Sequence, residues 1–184
     1  MYSKTFRMKT KTENILLVMK YLALLGAIGF SIECGSQIVS LIATFINPEW
    51  AKRVYHVDTT IMSIHNVSTI QYIYAMSIVI AVLVLKATIW YSIFYLLEKL
   101  KLKSPFSLKV IKKLEKIACL MLGIWVISGL IGKTYSYYLM KSTGIELSFN
   151  DSGDSYLFIA GIVYIIAQIF RRGIEMQEEN QLTV

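Results

Sequence analysis

Residues 67–97 read VSTIQYIYAMSIVIAVLVLKATIWYSIFYLL, an apolar stretch in which Lys86 is the one charged side chain. A helix needs about 20 mostly apolar residues to cross a bilayer core about 30 Å thick. This stretch therefore predicts a transmembrane helix. Three further apolar stretches predict three more spans, at residues 15–46, 117–139 and 156–170.

The predicted fold is all-α: an integral membrane bundle of four transmembrane helices that forms a single membrane domain over residues 1–184. Composition agrees, because 55% of the residues are hydrophobic and only 17% are charged, whereas about a quarter are charged in a typical soluble domain. The remaining segments are the outer connections 47–66 and 142–155, the loop 98–116 and the tail 171–184.

Lysine and arginine residues collect on one side of the predicted spans. Fourteen of the nineteen lie before or at the start of the first span, between the second and third, or after the fourth. The connections 47–66 and 142–155, counted together with the adjoining Lys141, hold three basic residues against five acidic ones. By the positive-inside rule, both termini and the loop 98–116 are predicted to be cytoplasmic.

The formal net charge of +7 is also compatible with nucleic-acid binding. We interpret the excess as topogenic instead, because it lies beside the anionic headgroups of the bilayer and no nucleic-acid-binding motif accompanies it. The lipid bilayer is thus the predicted partner, with no direct contact to nucleic acid.

Enzymatic signatures are missing from the sequence. It contains no HExxH, GxSxG or Walker A motif, which are the usual signs of a zinc protease, a serine hydrolase or a phosphate-binding loop. His56 and His65 lie nine residues apart without a cluster of cysteines or carboxylates. We therefore expect no catalytic residues, no cofactor, no metal and no enzymatic activity.

Two ionisable side chains, Glu33 and Lys86, lie deep within predicted spans. Glu33 is thirteen residues after Lys20, and Lys86 is twelve residues before Glu98. If Lys20 and Glu98 mark the inner boundary, both side chains lie about 18–20 Å above it by helix rise. The first two spans are antiparallel neighbours, so an intramembrane Glu33–Lys86 pair is the preferred prediction.

Lys133 is the rival partner for Glu33. It lies about 25 Å above Lys116 by the same arithmetic, close to the outer headgroups. A lysine in this position usually extends its ammonium group to the membrane surface. Lys133 is therefore predicted to be an outer-interface charge.

The role of the polar residues inside the membrane has two readings. Buried charges are often paired only to neutralise each other, but they also mark ion pathways and gates. Small and polar residues recur at helical spacing in the first span, and such residues let membrane helices pack closely. A tight bundle is the simpler prediction, and a water-filled cavity is the alternative. The small and polar residues of the first span are Gly26, Gly29, Glu33, Gln37, Ser40 and Thr44.

The C-terminal run 156–184, YLFIAGIVYIIAQIFRRGIEMQEENQLTV, resembles the ending of a bacterial membrane family, domain of unknown function family 2975. The Ser-Pro-Phe-Ser sequence of residues 104–107, followed by the basic stretch 111–117, is similar to that family too. The resemblance implies a four-helix protein of the bacterial inner membrane. Members are often encoded beside a Cro/repressor-type helix-turn-helix regulator, which implies a cytoplasmic partner of that kind.

The predicted function is that of a non-enzymatic sensor or regulatory interaction protein that binds or sequesters such a regulator. The alternative is a small oligomeric transporter or channel that uses Glu33 and Lys86, which leaves a homo-oligomer open. The candidate cytoplasmic docking residues are Ser104, Pro105, Phe106, Arg171, Arg172, Glu175, Glu178 and Glu179.

Overall fold

The computed structural model describes residues 11–49, 51, 59–99, 107–149 and 153–182. In these ranges the chain forms helices and no strand, which confirms the predicted all-α fold. The elements are α1 (Lys11–Ile46), α2 (Thr59–Val67), α3 (Thr69–Lys99), α4 (Leu108–Ile124), a π-helical segment (Trp125–Gly132), α5 (Lys133–Thr143) and α6 (Gly153–Leu182).

Four helical stretches are long and apolar enough to cross a membrane, as predicted. They cover Lys11–Ile46, Thr69–Lys99, Leu108–Thr143 and Asp154–Glu179, and the third joins α4, the π segment and α5. Helices extend beyond the apolar residues at several ends, because hydropathy marks the part of a helix in contact with lipid and not the end of its backbone hydrogen bonds.

The connection before the second span contains the helix α2, which hydropathy alone did not indicate. A single non-helical residue, Ser68, separates α2 from α3. Ile64 of α2 is fully buried against Tyr72 and Met76 of α3. This packing closes the end of the bundle opposite the basic residues. Trp50 and Tyr55 of this connection lie outside the described residues.

The third span begins at a capped helix end. Ser107 has an extended backbone, and its hydroxyl accepts a hydrogen bond from the Val110 N–H at 3.4 Å. Ser104 and Pro105, which precede this start in the sequence, lie outside the described residues. The span ends at Gly144, whose φ of 73° falls in the left-handed region that glycine adopts without a steric penalty.

The spanning helices pack chiefly on their neighbours in the sequence. Contacts join α1 to α3, α3 to α4, and α4 to α6. Helices α1 and α6 therefore lie at the two edges of the bundle, and most of their apolar side chains are exposed. In a bilayer, lipid would cover these side chains.

Close packing of α1 on α3 depends on Gly26. A Cβ atom built on Gly26 would lie 2.7 Å from Cδ2 of the Trp90 ring, whereas one built on Gly29 meets nothing within 4 Å. The indole ring of Trp90 also stacks on Phe30, with 6.5 Å between ring centroids. The small residue at position 26 thus lets the helices approach at the Trp90 ring.

We expect Gly26→Ala to destabilise the protein by about 1–3 kcal/mol, because the added methyl group overpacks the contact with the rigid indole. Gly29→Ala is the matched control on the same helix and should have no such cost. Denaturant unfolding in detergent micelles, followed by circular dichroism, measures both. Equal stability of the two variants would contradict the role of this contact.

Candidate functional site

One end of the bundle, here called the basic end, is defined by Lys20, Glu98, Lys116 and Arg171. Lys20 of α1 and Glu98 of α3 form an ion pair, with 3.1 Å between Nζ and Oε1. The Lys20 ammonium also lies 5.2 Å from the centroid of the Phe94 ring. These contacts place Lys20 of α1 and the end of α3 at the same level.

Glu33 and Lys86 can now be placed by counting from the Lys20–Glu98 pair. Thirteen residues along α1 and twelve residues back along α3 reach almost the same height, about 18–20 Å by helix rise. The Lys86 ammonium lies 5.6 Å from the centroid of the Phe30 ring, one turn before Glu33. Glu33 itself is exposed at the surface of α1. The direct Glu33–Lys86 ion pair stays a prediction.

The π-helical segment begins near the height of Lys86. Ile124 and Ile127 share a packed cluster with Leu85 and Ile89, which flank Lys86 on α3. Such segments often occur at functional sites, because the wider helical turn leaves backbone groups with altered partners. Hydropathy did not indicate it, since π and α helices have the same apolar composition.

The π segment contains several small residues, and these are the feature of the sequence that is related to its widened turn. Ser128 donates a hydrogen bond from Oγ to the Ile124 carbonyl at 2.8 Å. A Cβ on Gly129 would lie 3.2 Å from the Trp125 ring, and one on Gly132 would lie 3.2 Å from Phe149. The glycines therefore leave room for aromatic rings beside a widened helix.

A polar cluster joins α4 to α6 at the basic end. Glu115 Oε1 accepts hydrogen bonds from Arg171 at 2.5 Å and from Gln168 at 3.1 Å. The Glu115 side chain is 26% exposed and that of Arg171 is 47% exposed. Sequence reasoning placed Arg171 in the docking set but missed Glu115. The feature of the sequence that could have indicated Glu115 is that it is the one carboxylate in the otherwise basic stretch 109–116.

The other candidate docking residues fall into two groups. Ser104, Pro105 and Phe106 lie outside the described residues. The remaining members continue along α6 as one helix, and Arg172 bonds Glu175 at 2.9 Å between Nη1 and Oε2. Beyond that pair, Glu178 and Glu179 are exposed.

Lys133 lies at the end of the bundle opposite the basic end. Its side chain is 63% exposed, and its ammonium lies 3.5 Å from the carboxylate of Asp154. This placement suits an outer-interface charge.

The described residues contain no group of three or more histidine, cysteine, aspartate or glutamate side chains that could hold a metal ion. His65 contacts Tyr72 edge to face, with 5.1 Å between ring centroids.

Hydrogen bonds between hydroxyl groups and neighbouring helices close the opposite end of the bundle. The Tyr72 hydroxyl donates to Thr44 Oγ1 at 3.0 Å, and the Tyr135 hydroxyl donates to the Gln71 carbonyl at 2.6 Å. These bonds join α1, α3 and α5. Thr44 was part of the predicted polar stripe, so the structure gives this member a packing role.

A family model described as a protein of unknown function, DUF2975, matches residues 43–184. The chain belongs to this family. The resemblance seen in the C-terminal run and the Ser-Pro-Phe-Ser loop is thus confirmed. No curated protein and no solved structure matches the chain. Within this DUF2975 protein, Lys86, the loop and the tail fall inside the matched region, whereas Glu33 precedes it.

For the DUF2975 protein, we expect Glu115→Ala to loosen the contact of α6 with α4. The variant removes the acceptor of both Arg171 and Gln168, at an expected loss of about 1 kcal/mol for a partly exposed pair. Glu178→Ala is the control, since it removes an exposed carboxylate farther along α6. Hydrogen exchange at the end of α6 measures the effect, and equal exchange in both variants would contradict it.

Proposed function

We propose that this chain is a non-enzymatic regulatory protein of the bacterial inner membrane that binds a soluble helix-turn-helix regulator at its cytoplasmic face. The observation that carries the proposal is the length of α6. This helix continues without interruption from the apolar span to Leu182. It therefore presents the acidic tail residues on an ordered helix beyond the membrane.

The orientation in the proposal rests on charge. The ion pairs Lys20–Glu98 and Arg171–Glu115 lie at the basic end, which also carries the start of α1 and the end of α6. The positive-inside rule assigns such an end to the cytoplasm. Both termini would then face the compartment in which a transcription regulator is found.

Charge complementarity supports a DNA-binding partner. Helix-turn-helix domains place a basic surface against the phosphates of DNA. The tail offers the exposed carboxylates of Glu175, Glu178 and Glu179, with the exposed side chain of Met176 between them. Methionine adapts well to a partner's apolar surface. An acidic helix of this kind would compete with DNA for the same face of the regulator.

We expect deletion of residues 173–184 to abolish co-purification of the proposed helix-turn-helix regulator, because the acidic helix is removed. Pull-down from detergent-solubilised membranes, with the intact chain in parallel, measures this. Unchanged binding after deletion would exclude the tail from the interface. Failure of the intact chain to retain the regulator would overturn the proposal.

A charge-only variant separates electrostatics from loss of the helix. Glu178→Gln with Glu179→Gln should weaken binding about three- to tenfold, since each exposed charge contributes up to about 1 kcal/mol. Glu49→Gln with Glu146→Gln removes two exposed carboxylates at the opposite end and is the matched control. The loss should shrink at high salt, and equal losses in both double variants would contradict a specific interface.

The second candidate function is a small oligomeric transporter or channel. Its support is that Glu33 and Lys86 lie at about one height by helix rise, with Lys86 near the start of the π segment. Intramembrane ionisable groups often mark ion pathways. Glu33 is exposed on the edge helix α1, so a second copy of the chain would be needed to enclose a pathway there.

For this second candidate, we expect Glu33→Gln to reduce proton flux into proteoliposomes by at least tenfold relative to the unaltered chain, because the carboxylate would carry the proton. Entrapped pyranine reports the flux. Glu49→Gln, at the end of the first span, is the control. Equal flux with Glu33→Gln would exclude an essential role for this carboxylate, and flux no greater than in empty liposomes would exclude proton transport.

A further inference from the structure

A cavity opens at the basic end between the end of α3 and the start of α4. It has a volume of about 1050 Å³. Its apolar wall includes Leu96 and Val110, and it also contacts the capped first turn of α4. The described lining residues contain five lysines and one carboxylate, that of Glu98; the lysines are Lys99, Lys109, Lys112, Lys113 and Lys116.

Two of the five lysines lie against one aromatic ring. The ammonium groups of Lys99 and Lys113 lie 4.2 Å and 5.0 Å from the centroid of the Tyr95 ring. One lysine comes from α3 and the other from α4, so packing of the two helices brings two like charges to the same ring. The ring offsets part of their repulsion through its negative face.

Nearby carboxylates are engaged in other contacts. Glu98 is bound by Lys20 on α1, and Glu115 is bound by Arg171 on α6. The described lining of the cavity therefore holds five lysines against one carboxylate, that of Glu98, which Lys20 already binds. The first turn of α4 adds the positive end of a helix dipole. Such a site favours an anion.

The position of the cavity selects the kind of anion. The cavity lies where the apolar spans end, between the Tyr95 ring and the lysines of α4. Aromatic and basic residues in such a position lie at the depth of the lipid headgroups. Its wall is apolar toward Leu96 and Val110 and basic toward the end of the bundle. A ligand that fits has a phosphate at one end and a hydrocarbon chain at the other.

We propose that this cavity binds an anionic phospholipid, with its phosphate headgroup between Lys99 and Lys113 and an acyl chain along Leu96 and Val110. Basic recesses between membrane helices are suited to such headgroups, and each lysine near an anionic lipid surface contributes substantially to binding. The inference does not depend on the proposed regulator, because it uses no residue of the tail.

The test is titration of phosphatidylglycerol into the full-length chain in detergent, with native mass spectrometry as the readout. The intact chain should bind phosphatidylglycerol more tightly than phosphatidylcholine. Lys99→Gln with Lys113→Gln should weaken phosphatidylglycerol binding about tenfold to thirtyfold. Lys99→Arg with Lys113→Arg should restore it, which separates loss of charge from loss of folding.

The matched control removes two exposed lysines elsewhere, through Lys11→Gln with Lys141→Gln, and should leave binding unchanged. If the control lowers the affinity for phosphatidylglycerol as much as the Lys99 and Lys113 variant does, binding depends only on overall surface charge, and the proposal is overturned. Equal affinity of the intact chain for phosphatidylcholine would overturn it as well. Displacement of phosphatidylglycerol by millimolar inorganic phosphate would assign the site to a free anion and contradict a lipid occupant.

Discussion

The contact between Gly26 and the Trp90 ring sets the register of α1 on α3, and the arrangement of polar groups along both helices depends on that register. The same alignment brings Lys20 to Glu98 at one end and Thr44 to the Tyr72 hydroxyl at the other. Membrane helices gain little from the hydrophobic effect between themselves, so close packing and specific polar contacts must fix their alignment.

With this register, the relative heights of residues on α1 and α3 can be counted along the two helices. Helix rise is constant, so counting from a correctly chosen boundary gives the height of any residue in a straight helix. The assumed boundary pair, Lys20 and Glu98, is an ion pair in the structure. The four spans were predictable for a related reason, because the thickness of the bilayer imposes a minimum apolar length on each helix.

Other features could not be predicted because they depend on packing between helices, which hydropathy does not report. The π segment has the composition of an ordinary apolar helix, and α2 is stabilised by burial of Ile64 against α3. The bond from Arg171 to Glu115 joins residues that are 56 positions apart. The sequence predicted a set of charged docking residues at one end of the bundle. The cavity, and the position of the Tyr95 ring beside it, result from the packing of α3 on α4 and are visible only in the structure.

Lys113 and the last carboxylates of the tail differ in depth at the basic end. Lys113 is two residues from Glu115, which pairs with Arg171, whereas Glu178 and Glu179 follow Arg171 by roughly 10–12 Å along α6 if the helix is straight. Anionic headgroups attract the lysines and repel these carboxylates over a screening length of about 8 Å. A lipid bound between Lys99 and Lys113 would strengthen this separation locally. The same electrostatics would therefore anchor the basic end and turn the acidic end of α6 toward water, where a basic partner could reach it.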